Sequence, residues 1–314
     1  MQVEQRDLVL RVNELFHDLE GEEYQDVHPE IFEREKRRWI ALLLQYAPLK
    51  KDTSVTLLDV GAGTGFVGSI VLPLIQGEDS TLICADISQE MLDVSREKLT
   101  PIAGKTALRF LKMKDEMIDL PDASVDVVMM NSVLHHVPDY RRFLREIERV
   151  LKPDGMLFIG HEPNLLFMQN NFLRMQAGII HHLTPKRIAA LILKRAGLYH
   201  KVVSASPESP ILKTINETLQ REHLIDTPLT AGELSSLIDI HSPTAGSLHE
   251  NRGFDLRHLC DGSRMTVVHV DSYNHLLKMS GNRFWKPYGA LLKMLLPRSG
   301  STFFLIAAKK SPPS

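Results

Sequence analysis

The chain has 314 residues, 43% of them hydrophobic, enough for one large core or one core with a sizeable elaboration. A formal charge of -2 and a pI near 6.7 supply no basic field for sequence-independent nucleic-acid binding. Only Cys84 and Cys260 are present, the first in a predicted buried strand, which argues against a disulfide framework and for a reducing compartment.

Charged residues at Glu4, Arg6, Asp7 and Arg11 interrupt the N-terminal apolar pattern, so no secretory core forms there. Nowhere do about 18 uncharged apolar residues run together, and a soluble, cytoplasmic protein is expected. Val3, Leu8, Leu10, Val12, Leu15 and Phe16 predict a first helix, and Trp39, Ile40, Leu42, Leu43 and Leu44 a stronger one that ends at the turn by Pro48. Residues 1–50 thus read as an N-terminal helical segment, with Tyr24 in the linker between the helices.

Leu57-Leu58-Asp59-Val60-Gly61-Ala62-Gly63-Thr64-Gly65-Phe66 then runs from an apolar strand through an acid into three glycines spaced by two. Without a Cβ, such a turn can take positive φ and bring backbone close to a ligand. A dinucleotide turn would place its third glycine at position 66, which is Phe66, and the spacing therefore favours an S-adenosylmethionine site over a nicotinamide site. A second apolar strand, Thr81 to Ile87, carries Asp86 at its end, one βαβ unit beyond Asp59 and placed to receive both hydroxyls of a ribose. The competing reading of Asp86 is a helix N-terminal charge, with Ser88 as the cap.

This pattern resembles the first motifs of class I S-adenosylmethionine-dependent methyltransferases. Three further segments continue the resemblance in order: Asp115-Glu116 with Asp119-Leu120-Pro121, the strand Val125 to Asn131 followed by His135-His136, and Phe143 to Ile159 as helix, Lys-Pro-Asp-Gly turn and fifth strand. The resemblance implies a Rossmann-like, doubly wound α/β sheet of seven strands with the last antiparallel, and S-adenosylmethionine as cofactor. It implies that Asp59 meets the methionine ammonium, that Asp115 or Glu116 contacts the adenine amino group, and that Asn131 lies beside the methionine part. Ala62 and Ile87 fall in the same two cofactor loops, and Tyr24 is a candidate lid over the cofactor, or an aromatic pinning the N-terminal arm.

The core is expected over residues 51–163. From Asn164 to Ser263 the pattern turns helical, with one amphipathic segment from Leu165 to Met175 and another at Ile188 to Leu193. That is too long for a plain connection between strands five and six, and it reads as a substrate-covering insertion. Residues 264–310 supply two last strands, Met265 to Val270 and Thr302 to Ala308, separated by a basic amphipathic stretch from Arg283 to Leu295. That stretch either covers the active-site mouth, the favoured reading because Pro287 and Pro297 keep it short, or touches a membrane surface.

Methyl transfer from a sulfonium needs alignment and, where the acceptor must lose a proton, a base. His135 and His136 are the first candidates, with packing or turn orientation as the alternative; His161 and Glu162 are the second pair. No metal set is expected: His161-Glu162 lacks a histidine at Leu165, and His181-His182 are adjacent and share no helix face. Asn131-Ser132-Val133-Leu134 is not the Asn-Pro-Pro-aromatic sequence of base-amine methyltransferases, and neither cysteine follows a proline as in cytosine C5 enzymes. The expected acceptor is therefore a small, partly apolar metabolite, at oxygen, nitrogen or carbon, with no nucleic acid partner. An S-adenosylmethionine-binding cyclase or isomerase, a non-catalytic partner subunit, or a nicotinamide oxidoreductase are the alternatives. The sequence leaves the oligomeric state open.

Overall fold

Alternation of side chains along the first strand divides the core between two faces. In a computed structural model describing residues 3–20, 29–49, 53–75, 77–182, 209–242, 252–276 and 285–311, strand β1 (Thr56–Val60) sends Leu58 and Val60 to one face and Leu57 to the other. Strands β2 (Thr81–Asp86), β3 (Ala107–Lys112), β4 (Val125–Asn131), β5 (Leu151–Pro163), β6 (Met265–Tyr273) and β7 (Thr302–Lys309) complete one seven-stranded sheet, in the order β3-β2-β1-β4-β5-β7-β6. The first five run parallel, and β7 is antiparallel to both β5 and β6. The expected doubly wound sheet is therefore present.

Helices α1 (Val3–Glu20) and α2 (Pro29–Tyr46) precede the sheet, and α3 (Phe66–Val71), α4 (Gln89–Leu99) and α5 (Tyr140–Val150) connect its parallel strands. One sheet face is covered by α5 through Phe143, Leu144 and Ile147, the other by α2 through Trp39, Leu42 and Leu43 together with α3 and α4. Ser88 caps α4 by accepting from the Met91 N–H, and Asp139 caps α5 by accepting from that of Arg142, as the sequence signals require. The helix α5 ends directly into β5, whose Lys152-Pro153-Asp154-Gly155 stretch loops out between the Leu151 and Met156 pairings.

The region after β5 contains α6 (Leu165–Gln169), α7 (Asn171–His182), α8 (Pro210–Arg221) and α9 (Ala231–Ile238). The single amphipathic segment expected from Leu165 to Met175 is instead two helices broken at Asn170, and Phe172 and Met175 are exposed. Helices α8 and α9 pack on α1 around Val12, Ile215, Leu219 and Leu234, a small core separate from the sheet. The resulting three-helix cap is tied to the sheet domain by ion pairs Arg6–Glu116 (2.8 Å) and Glu14–Lys112 (2.8 Å). A hydrogen bond from the Ser88 hydroxyl to Asp18 (2.5 Å) adds a third tie. Tyr24, Ile188 to Leu193 and Phe284 lie outside the described residues.

The stretch before β7 is helix α10 (Lys286–Leu295). It packs through Leu292 and Tyr288 on Phe167, Met168 and Leu173, and no residue of it lines either of the two cavities described below. It backs Met168, a wall residue of the second cavity, without lining either cavity itself. The physical reason is that Leu292 finds an apolar seat formed by α6, α7 and Leu276, a cluster that the helical pattern alone does not locate.

Trp39 couples the core to the site: fully buried against Phe304, it donates from Nε1 to the Asn131 side-chain oxygen at 2.9 Å. Trp39→Phe leaves that oxygen without its donor, and about 1–3 kcal/mol of stability should be lost in urea denaturation. An unchanged midpoint would show that the bond carries no net stability.

Candidate active site

The glycine turn after β1 uses its three glycines for different reasons. All have positive φ, Gly61 at 62°, Gly63 at 51° and Gly65 at 79°. A Cβ on Gly61 would lie 2.4 Å from Val133, and one on Gly65 would lie 2.9 Å from the Ser95 hydroxyl, so these two are needed for packing. A Cβ on Gly63 meets nothing within 4 Å and would project into open space. That open space belongs to a cavity of about 440 Å³ walled by Gly61, Ala62, Gly63, Asp86 and Ile87 on the sheet side and by Leu10, Asn13 and His17 of α1 on the cap side. Its size suits a nucleoside-type ligand.

Asp86, almost fully buried at the end of β2, accepts from the Gly63 N–H (2.8 Å) through one oxygen and from the Ser88 N–H (2.9 Å) through the other. Burial raises its carboxyl above the usual range, against the lowering pull of those N–H donors. Asp59 lies beneath the turn and not in the cavity wall, accepting from Gly68 N–H at 3.0 Å and so fixing the start of α3. Burial, opposed by that bond and reinforced by nearby Asp86, pushes it up to about 8. Gly65 also stands behind the wall. At the far end Asp115 and Glu116 both line the cavity, but Glu116 is engaged by Arg6 and by the Asp139 N–H (2.9 Å), whereas Asp115 is exposed. Asn131 lines the opposite end.

A second cavity, of about 710 Å³, adjoins the first: His17, Ser132, His136 and His161 contribute to both walls. Its remaining lining is largely apolar, including Phe16, Met168, Ile211, Leu212, Leu234 and Ile238, with Asp239 and His135 at one side. The expected histidines are thus brought together here. At His161, which takes φ 57°, β5 carries a bulge that shifts register between Gly160 and Glu162. The bulge aims Glu162 inward, where its carboxylate, 0% exposed, accepts from the N–H groups of Val133 and Leu134 (2.7 Å each) and of His135 (3.2 Å). It also bonds the His135 Nδ1 at 2.8 Å.

That bond leaves His135 Nε2 facing Asp239, 3.5 Å away. Burial alone would depress this imidazole, yet the Glu162 carboxylate, by charge and hydrogen bond, and Asp239 raise it above its ordinary value. His136 bonds the Ile238 carbonyl through Nδ1 (2.8 Å), and burial followed by the proximity of His135 and His17 holds it well below the ordinary value. His17 is pushed down to about 4 by burial and by His135. Of His17, His135 and His136, His135 is the one raised above its ordinary value and so the one suited to take up a proton near neutral pH. The side-chain ligand atoms of His135, His136 and Asp239 also lie within 4.8 Å of one another, a spacing open to a metal ion. His17, Asn13, Ser132 and Asp239 were not singled out from the sequence; α1 and α9 bring them in only through tertiary packing, and no local signal marks them.

A parallel sheet with a glycine turn and two acids at its carboxyl edge, opening into a nucleoside-sized cavity beside a second, largely apolar one, is the layout of an enzyme that binds a nucleoside-type cofactor. Residues 58–159 match the profile of a methyltransferase domain family. The ubiquinone/menaquinone biosynthesis C-methyltransferase UbiE of Cronobacter sakazakii is 27% identical over 179 residues, covering 57% of this chain and 69% of that protein. Its counterpart from Photorhabdus laumondii is 28% identical, covering 56% and 70%. Among solved structures, a SAM-dependent methyltransferase from Aquifex aeolicus is 27% identical over 50% of this chain and 78% of that one, with a TM-score of 0.35. YcgJ from Bacillus subtilis is 16% identical over 88% and 100%, with a TM-score of 0.43. Residues 58–159 thus carry a methyltransferase domain, and the enzyme is an S-adenosylmethionine-dependent methyltransferase with S-adenosylmethionine as its cofactor.

Because the Gly63 Cβ position opens into the cofactor cavity, Gly63→Val should lower affinity for S-adenosylhomocysteine by ~100-fold or more in calorimetry. It should cost the fold only the ~1–2 kcal/mol of a left-handed backbone with a side chain. Normal binding by a folded Gly63→Val protein would contradict the close approach.

Proposed function

We propose that the acceptor is a small, partly apolar metabolite seated in the second cavity, and that His135 removes its proton. The observation that carries this reading is the His135–Glu162 pair at the wall of an apolar cavity that shares Ser132, His136 and His161 with the cofactor cavity. On the cofactor side, Asp86 receives the ribose hydroxyls, Asp115 is the acid left open for the adenine amino group, and Gly63 lets the chain lie against the ligand. Bound S-adenosylmethionine supplies a methyl group already activated by a sulfonium. The chain's own tasks are alignment, exclusion of water and proton removal.

Glu162 accepts from His135 Nδ1, which leaves Nε2, beside Asp239 at the wall of the second cavity, as the nitrogen that takes the acceptor's proton. When Nε2 takes the acceptor's proton, the imidazolium stands between the Glu162 and Asp239 carboxylates, which stabilise its charge. The electron pair so freed on the acceptor is the nucleophile that bound S-adenosylmethionine would methylate, its thioether being the leaving group. Oxygen, nitrogen and carbon acceptors all fit this scheme. The relatives named as quinone-biosynthesis C-methyltransferases support carbon, in a molecule whose hydroxyl loses the proton. No helix in the described residues is long and apolar enough to cross a membrane.

Asp86→Ala should weaken S-adenosylhomocysteine binding by at least ~1.5 kcal/mol, about tenfold, with the fold intact; unchanged affinity in calorimetry would remove the ribose role. His135→Gln should reduce kcat ~100-fold or more in an S-adenosylhomocysteine-release assay over a panel of phenols, quinols and amines, with cofactor affinity unchanged. Because the carboxylate lifts the imidazole, turnover in the wild type should appear as pH rises through a value above the ordinary imidazole range. Glu162→Gln should move that rising limb to lower pH. A limb that stays in place, or turnover abolished by EDTA, would replace the base with a metal at His135, His136 and Asp239.

A further inference from the structure

Charge along the chain is distributed unevenly. No Asp or Glu occurs from Asn164 to Pro207, nor anywhere after Asp271, although these stretches hold thirteen of the 37 Lys and Arg residues. The other 24 face all 39 acids, so a chain with a net charge of only -2 has a strongly acidic part and a strongly basic one. Helices α7 and α10 come from the two acid-free stretches, and the fold packs them together. Leu173 and Leu292 share a cluster with Phe167, Met168 and Leu276, and the Tyr288 hydroxyl donates to the Gln176 side-chain oxygen.

Each helix also carries an apolar stripe turned away from that cluster. On α7 it is Phe172, Met175 and Ile179, at spacings of three and four; on α10 it is Leu291, Met294 and Leu295. Met294 is 71% exposed and Leu295 62%. Of the thirteen large hydrophobic residues that are exposed among the described residues, six stand on these two short helices. Exposed Lys286 and Arg298 flank the stripe of α10, and Lys293 beside it is paired with Asp271 at 2.8 Å.

Aliphatic side chains held in water beside cations, with no anion on either helix, are the composition of an interfacial helix. Burying Phe, Met, Leu and Ile in acyl chains recovers their transfer free energy, and lysine and arginine reach back to anionic headgroups. A nucleic acid would use the cations but gain little from six aliphatic and aromatic groups with no groove to enter. We propose that α7 and α10 dock the enzyme onto the surface of a bilayer containing anionic lipid. None of the six stripe residues lines either cavity, so the proposal does not depend on the acceptor assigned above.

The test is co-sedimentation of the full chain with phosphatidylcholine vesicles, with and without phosphatidylglycerol, at low and high salt. A double variant, Met294→Asp with Leu295→Asp, is compared with the wild type. The wild type should pellet with the anionic vesicles, less so at high salt, and the variant should lose ~10-fold or more of that partitioning. Unchanged affinity of the variant for S-adenosylhomocysteine confirms that it is folded. Equal partitioning of variant and wild type, binding indifferent to phosphatidylglycerol, or no binding to either vesicle would overturn the proposal. Salt-sensitive binding to transfer RNA with no vesicle binding would also overturn it and give the face to a nucleic acid.

Discussion

A carboxylate with no exposed surface holds the active site together. Glu162 collects three backbone N–H groups and one imidazole, and every one of them belongs to the turn that follows β4. Desolvating a carboxylate costs several kcal/mol, and only a nearly complete set of charge-assisted donors offsets it. The donors exist because the β5 bulge at His161 turns Glu162 toward the sheet edge, and because Ser132, also at positive φ (58°), turns the Val133 to His135 amides to meet it. Two residues in a left-handed conformation, facing each other across adjacent strands, are backbone strain concentrated at the site, held by Ser132 N–H bonding to Gly160 at 2.9 Å.

The parts of this arrangement that were legible in the sequence are those where one strand or one turn contains the whole signal. Asp59, the glycine turn, Asp86 at the end of β2 and the Lys-Pro-Asp-Gly stop after α5 all depend on local geometry, and they stand where the pattern places them. The strand β3 gave a weaker signal, because the alternation of Leu108, Arg109 and Phe110 is short and breaks at Leu111 and Lys112, at the edge of the sheet where burial is partial. Residues meeting across the fold were less legible still. Glu162 could be named as a candidate beside His161, but its role as the acceptor for a distant turn depends on a bulge that no residue type announces. Helix α10 shows the same limit from the other side: its amphipathic pattern was plain, and where its apolar face sits was not.

The same contrast separates the two acids of each cofactor pair. Asp59 and Asp86 are both buried, yet one fixes α3 from beneath and the other faces the cavity, a difference set by the direction of the strand end and not by residue type. Likewise Asp115 and Glu116 are neighbours in sequence, and the arrival of Arg6 from α1 engages one and leaves the other open. Tertiary partners, rather than motifs, decide which member of a pair is available.

The cap of α1, α8 and α9 has its own small core and is joined to the sheet domain largely by polar ties, Arg6–Glu116, Glu14–Lys112 and Ser88–Asp18 among them. Its α1 forms one wall of the first cavity, and its α8 and α9 form part of the second. One body therefore roofs both chambers, and neither can be emptied through the roof without disturbing the other. A substitution that loosens the small core around Val12, Ile215 and Leu219 would therefore reach both chambers at once, although none of these three residues lines either of them.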